Sequence, residues 1–328
     1  TPRPIYRANG RKVPDCQTRP SSLRDELTEA QGAFPLFKFW GPGADIESTR
    51  WIVDAAIHVS QNSHPTLQLV YLPHLDYGLQ KFGPGHDEVP RLLREVDAEV
   101  GRLIEALETE GVDVLLVSEY GIVPVTSDVP LNRTLREAGM ISIREELGTE
   151  MLIPTECEAL AVADHQIAHV YVRNSDRRDE VAKLLRAVEG VDSIINREDS
   201  ELNHSRAGDL IATACAERWF SYDWWLNDEV APDYARTVDI HNKPGYDPRE
   251  LFLSSRLRAA GKLAMTKAGI RTIMDVIPLD GTLVKGSHGL SRHEAGCEPV
   301  LIGFGGPQED LLPCERISSI LLERIFED

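Results

Sequence analysis

The 328-residue chain carries 35 Lys and Arg against 53 Asp and Glu, a net charge of −18, and 42 % of its residues are hydrophobic. That is enough apolar material to bury a core, which excludes disorder as the main state. The charge argues against nonspecific nucleic-acid binding and against docking on anionic membranes, whereas a small phosphorylated substrate stays open because a bound cation reverses the local sign.

Cys16, Cys157, Cys215, Cys297 and Cys314 are scattered, with no CxxC pair. They point to a reducing, cytoplasmic compartment and away from a disulfide framework or a thiolate zinc site. No apolar run approaches the roughly 18 residues that span a bilayer. The opening TPRPIYRANGRKVPDC has no initiator Met and no apolar signal-peptide core, and reads as a start inside something longer.

In chain order, Ser21 and Ser22 before LRDELTEA predict a capped helix. PLFKFW (35–40) reads as a short strand ending at a GPG turn, and Ile46, Trp51, Val53, Ala56 and Ile57 give the next segment a helical apolar face. LQLVYL (67–72) reads as a buried parallel strand. Leu92, Leu93, Val96, Val100, Leu103, Ile104 and Leu107 mark the clearest helix, stopped at Gly111, and VDVLLVSEYG (112–121) reads as a second buried strand. Strand, helix and strand with short joins predict a βαβ unit and a parallel sheet covered on both faces. ALAVADHQIAHVYV (159–172) predicts a hairpin around Asp164 to Gln166. DEVAKLLRAVEG is an amphipathic helix, VDSIIN and DLIATACA are strands, and DIHNKPGYDPRELF is a polar loop entering a helix. With no repeat and no low-complexity linker, residues 1–328 read as a single α/β domain with an inserted β-rich, aromatic region around 150–250.

Ligands in open α/β sheets bind beyond the carboxyl ends of strands. Asp76 lies just past the first predicted strand, with His74 two residues before it and Gln80 four after; Ser118, Glu119 and Tyr120 end the second. Carboxylates gathered on one edge repel unless a cation sits between them, although acids at strand ends also simply cap the next helix. His288, between Gly286-Ser287 and Gly289, is an imidazole on a backbone free to approach a ligand, or an ordinary turn histidine. Asp239, His241 and Lys243 form a polar loop that could contact substrate. Asp164-His165 with His169 reads first as a hairpin turn, and His204-Ser205-Arg206 as a surface salt bridge. Trp219, Phe220, Tyr222, Trp224 and Trp225 read as core or lid packing, because an acidic chain makes a poor base-stacking platform.

Three stations in order carry a resemblance: Asp76 followed by FGP, Glu119 in LLVSEYG, and His288 in GSHG. They resemble the D-x-x-G-H-x-x-G-P, S-D-H-G and G-x-H-G stations of the nucleotide pyrophosphatase/phosphodiesterase branch of the alkaline phosphatase superfamily. TPRPIY and DIHNKPGYDPRELF are similar to segments of its type I phosphodiesterases, so the resemblance runs from Thr1 to about Gly289. It implies an alkaline-phosphatase-like three-layer α/β/α sandwich with a mostly parallel central sheet. It also implies two divalent metals, often zinc, and in-line displacement by a Thr or Ser nucleophile. Asp76 and His288 match metal positions. Gln80 stands in place of a family histidine, Glu119 in place of Asp, and Tyr120 in place of the second His. Gln is a weak neutral ligand and Tyr binds zinc only when deprotonated, so Mg²⁺, Mn²⁺ or a single metal suits the set better than two tight zincs. His74, if a strand continued past Asp76, would supply a nitrogen on the same side.

No segment here matches the family's nucleophile turn; Ser48 and Thr49, within a helical pattern, do not replace it. The resemblance therefore implies a domain incomplete at its N-terminus, with the nucleophile upstream and an association with that segment. The implied activity is hydrolysis of a phosphodiester or pyrophosphate. The alternatives are a non-catalytic scaffold with a degenerate metal site, or a phosphonate hydrolase.

Overall fold

A computed structural model describes residues 1–8, 12–290, 298–303 and 311–326 of the chain, so Cys297 lies outside the described residues. Short strands β1 (Ile5–Tyr6) and β2 (Lys12–Val13) pair antiparallel ahead of helix α1 (Ser22–Gln31). Ser21 does not cap α1, because its own backbone is already helical; the Thr18 hydroxyl accepts the Arg24 N–H at 3.0 Å instead. PLFKFW is not a strand either. Leu36–Phe39 is a helical turn, α2, and the aromatics around it decide the matter. Phe34 packs edge-to-face on Trp51 at 5.1 Å and Trp40 on Tyr77 at 5.1 Å, tertiary contacts that outweigh β propensity.

Helix α3 (Ile46–Ser63), capped by Asp45, α4 (His74–Phe82) and α5 (Val89–Glu108) follow. Val53 and Ala56 of α3 meet Leu103 and Leu107 of α5 in a small core. LQLVYL runs between α3 and α4 without forming a strand among the described residues. Val70 and Leu72 pack into that core while Leu67, Leu69 and Tyr71 face out, Leu69 being 81 % exposed. The apolar run is thus buried on one side only. Strand β3 (Leu115–Val117) is short and pairs antiparallel with β14 (Leu301–Gly303), not in parallel with a neighbour across α5.

Beyond β3 the chain forms β4 (Val123–Pro124), β5 (Ser127–Val129), α6 (Leu131–Glu137) and a hairpin of β6 (Ile143–Glu146) and β7 (Thr149–Leu152). The predicted hairpin is present as β8 (Ala159–Asp164) and β9 (Ile167–Val172). With β10 (Val191–Asn196) and β11 (Leu210–Ala214) it makes a four-stranded antiparallel sheet in the order β10-β11-β9-β8, next to helix α7 (Arg178–Arg186). The main core lies here: Val170, Leu185, Leu210, Phe220, Tyr222, Trp224 and Trp225 are fully buried together. Strand β12 (Arg218–Phe220) pairs with β5, the one parallel pair of named strands among the described residues. Helix α8 (Arg256–Lys267), strand β13 (Gly286–Ser287) against β4, and α9 (Arg316–Phe326) complete the set. Helices and sheets are both present, but the expected parallel central sheet is not found among the described residues; the largest sheet is antiparallel.

Candidate active site

Asp76 lies in the first turn of α4, and Gln80 one turn later shares its face. Gln80 Nε2 donates to Asp76 Oδ2 at 2.8 Å, and Gln80 Oε1 accepts the Tyr246 hydroxyl at 3.0 Å. The same helix receives β13: the Lys285 N–H donates to the Gln80 carbonyl at 2.9 Å. A Cβ at Gly286 would stand 2.3 Å from the Leu79 carbonyl oxygen, so only glycine lets this strand lie so close and deliver Ser287 and His288.

Two rings sandwich His288. Tyr120, just past β3, stacks at 3.5 Å between centroids and 11° between planes, and His165 lies at 3.7 Å. Two rings that close cannot share a face, so they occupy opposite ones. His165 stacks in turn on Tyr246 at 4.3 Å. It stands in the two-residue turn of the β8–β9 hairpin with φ +58°, its Nδ1 3.2 Å from Ser287 Oγ, while the Gln166 N–H donates to the His288 carbonyl at 2.8 Å. Asp76, Gln80, Tyr246, His165, His288 and Tyr120 thus form one continuous cluster drawn from five distant stretches of chain.

Burial raises the Asp76 carboxyl to about 6; Gln80 and Tyr120 favour its charged form less strongly, and the charge of Glu119 opposes it. Burial likewise lowers His288 to about 4 and pushes His165 well below the usual imidazole range, so both rings are neutral near pH 7. None of the groups acting on Asp76 is cationic.

A divalent metal finds only part of what it needs. Asp76 Oδ1 is buried without a hydrogen-bond partner, and neutral His288 offers a lone pair. Yet no three His, Cys, Asp or Glu side chains gather as a metal-holding group among the described residues. Glu119 is exposed and acts on Asp76 only as a nearby charge. Where imidazoles are expected, Gln80 donates to one oxygen of the carboxylate and Tyr120 covers the His288 ring. The described residues therefore do not fit a complete metal site.

Other candidates are placed elsewhere. His74 is a correction: the segment is helical, so two residues no longer share a side, and its Nε2 meets Glu95 Oε2 of α5 at 3.0 Å. Lys243 is buried, not exposed on an open loop. Its buried ammonium binds Glu250 at 2.6 Å, Asp247 at 2.9 Å and the Thr237 carbonyl at 3.0 Å. Asp239 pairs with Lys12 at 3.4 Å, and His241 is exposed beside it. His169 Nδ1 accepts the Gly208 N–H at 3.1 Å, and His204 Nδ1 the Arg206 N–H at 3.1 Å. The Ser48 hydroxyl donates to the Lys38 carbonyl at 3.0 Å.

Sequence reasoning ranked His165 as a metal or substrate contact behind a plain hairpin turn, and did not single out Tyr246. The available signal was a histidine in a turn too short for its side chain to avoid the next element. It also missed the charge cluster beside them, in which Arg249 donates to Asp223 at 2.6 and 2.8 Å and to Asp247 at 2.7 Å, all fully buried.

An uncharacterized pyrophosphatase/phosphodiesterase of Schizosaccharomyces pombe is 34 % identical over 76 residues, 22 % of this chain and 16 % of that protein. Phosphonoacetate hydrolase from Sinorhizobium meliloti, solved with phosphonoacetate, is 16 % identical over 55 % of this chain and 44 % of its own, with a TM-score of 0.40. Murine ectonucleotide pyrophosphatase/phosphodiesterase 5 is 16 % identical over 58 % of this chain and 49 % of its own, with a TM-score of 0.39. The matches thus span less than half the length of each of these relatives. The model of the type I phosphodiesterase/nucleotide pyrophosphatase family matches residues 3–247, three quarters of the chain, and the chain belongs to that family.

Proposed function

We propose that the complete protein hydrolyses a phosphodiester or pyrophosphate bond of a small phosphorylated substrate, with the Asp76–His288 cluster as this chain's share of the active site. The observation that carries the reading is the meeting of all three family stations at one place, in a chain whose family membership rests on a separate comparison. In this reading Asp76 holds the negative charge of the site, Gln80 and Tyr246 fix its orientation, and His288 presents a neutral nitrogen. A phosphoryl group arriving here meets a carboxylate and no cation, so charge compensation has to come from outside the described residues. A divalent ion (Zn²⁺, Mg²⁺ or Mn²⁺) with further ligands and a Thr or Ser nucleophile from an N-terminal segment are the proposed complements, in an alkaline-phosphatase-like three-layer domain. Cys16, Cys157, Cys215 and Cys314 are unpaired, which supports a cytoplasmic setting.

The test is turnover of bis-(p-nitrophenyl) phosphate, p-nitrophenyl phosphate and phosphonoacetate by the full-length protein, after chelation and after adding back each ion. Diester or pyrophosphate cleavage that needs an added ion supports the reading; cleavage of phosphonoacetate alone moves it to a phosphonate hydrolase. No turnover with any ion favours the second reading, a binding or scaffold relative. That reading draws on the neutral Gln80, held by Tyr246, which donates to one oxygen of Asp76 where the family has an imidazole.

A further inference from the structure

Helix α8 is at odds with the rest of the chain. From Arg256 to Met274 there is no acidic residue, while Arg256, Arg258, Lys262, Lys267 and Arg271 give five cations in a molecule of net charge −18. The segment lies beyond the family-matched residues 3–247. No residue of α8 is buried: Leu257 is 87 % exposed, and Leu263, Met265, Ile270 and Ile273 are exposed with it. Asp275 engages Arg258 and Lys262, but Arg256, Lys267 and Arg271 have no ion-pair partner among the described residues. A 12-residue helix is marginal in water without packing, so a bare one with leucines outward calls for a cover.

The complementary surface is on the same chain. The β6–β7 hairpin ends in Glu145-Glu146-Leu147-Gly148. Leu147 is fully exposed and held at φ +52°, with Gly148 at +85°, a turn that favours Asn or Gly at both positions. A leucine there costs stability and contributes no contact within its own molecule. Glu145 has no ion-pair partner among the described residues, while Glu146 pairs with Arg144 of its own strand at 2.5 Å. A tip that is acidic and apolar matches a helix that is basic and apolar.

We propose that α8 of one molecule docks the β6–β7 tip of a second copy, with Leu147 among Leu257, Leu263 and Met265 and the glutamates against Arg256, Lys267 and Arg271. Made reciprocally, helix to tip and tip to helix, the contact closes a two-fold dimer; made once per pair it builds a ring or a short open oligomer. An anionic membrane is the weaker occupant, because the remainder of the chain is more acidic than the total charge and would be repelled with it.

Sedimentation equilibrium of the 328-residue chain over a wide concentration range, at about 50 and about 500 mM salt, is the test. The inference predicts concentration-dependent association that weakens at least about tenfold at the higher salt. Lys267→Glu with Arg271→Glu, and separately Glu145→Lys with Glu146→Lys, remove it; mixing the two variants restores it. Leu147→Asn weakens association without lowering stability, which separates a lost contact from a lost fold. A monomer at every concentration, variants that associate like the parent, or a mixture that stays monomeric overturns the inference. Salt-sensitive binding to phosphatidylserine-containing vesicles without self-association also overturns it, in favour of a membrane.

Discussion

At the scale of single residues, the cluster around His288 makes a definite claim about pH. Unfolded, the two imidazoles titrate near 6.5; folded, burial lowers His288 to about 4 and holds His165 well below the usual imidazole range. As pH falls below about 6.5, the unfolded chain takes up protons the folded chain refuses, so stability falls with pH. Asp76 acts in the opposite sense, because its folded value near 6 exceeds the unfolded 3.8 and the folded state binds that proton first. It offsets one histidine, not two. Urea unfolding between about pH 4 and 7 will therefore show stability rising with pH, and His165→Phe with His288→Phe will flatten or reverse that slope; an unchanged slope contradicts the assignment. A second residue-scale prediction concerns Arg249, which neutralises Asp223 and Asp247 in a fully buried cluster. Arg249→Met leaves both carboxylates short of a partner and should cost about 3–5 kcal/mol in denaturant unfolding. A loss below about 1 kcal/mol would mean that water reaches the cluster. That Asp76, Tyr120 and His288 come together was legible because a motif names positions. His165, Tyr246 and the true partners of His74 and Lys243 were not, because each depends on which element packs opposite, and periodicity within one segment carries no such information.

Among the elements, the helices were the readable part. The apolar stripe of α5, the stop at Gly111 and the amphipathic α7 all follow from spacing within a single segment. The β8–β9 hairpin was legible for the same reason, its two runs being bonded across two residues. The remaining strands were harder, since a strand is defined by a distant partner. LQLVYL has strand composition but no ladder among the described residues, and β3 finds β14 from far along the chain. Capping offers a clean test at this scale. Because Thr18 takes the Arg24 N–H while Ser21 makes no cap bond, Thr18→Ala should lower stability by about 1 kcal/mol and Ser21→Ala by almost nothing. The reverse order in thermal unfolding would restore Ser21 as the cap. Gly286 gives a companion test: a Cβ there would drive β13 off α4, so Gly286→Ala should disturb His288 even though alanine is small.

For the whole molecule, the acidic balance takes on a more specific sense than repulsion of polyanions. The charges are unevenly spread: five fully buried ones (Asp223, Lys243, Asp247, Arg249 and Glu250) lock the segment that carries Tyr246, the basic α8 stands apart, and most of the acids lie outside both. The buried cluster ties residues 223 to 250 into a rigid wall behind the site: Glu250 accepts from Trp40 at 2.6 Å and from the Asp239 N–H at 2.9 Å. The central claim is that this wall, α4 and β13 together present Asp76 and His288 as the working groups of a family phosphohydrolase. The most direct measurement is diester hydrolysis by the full-length protein carrying Asp76→Asn or His288→Ala, each checked for an unchanged unfolding midpoint. The account predicts that each folded variant loses roughly 10²–10⁴-fold in kcat/KM. Folded variants that turn over substrate at the parent rate would place the active site elsewhere.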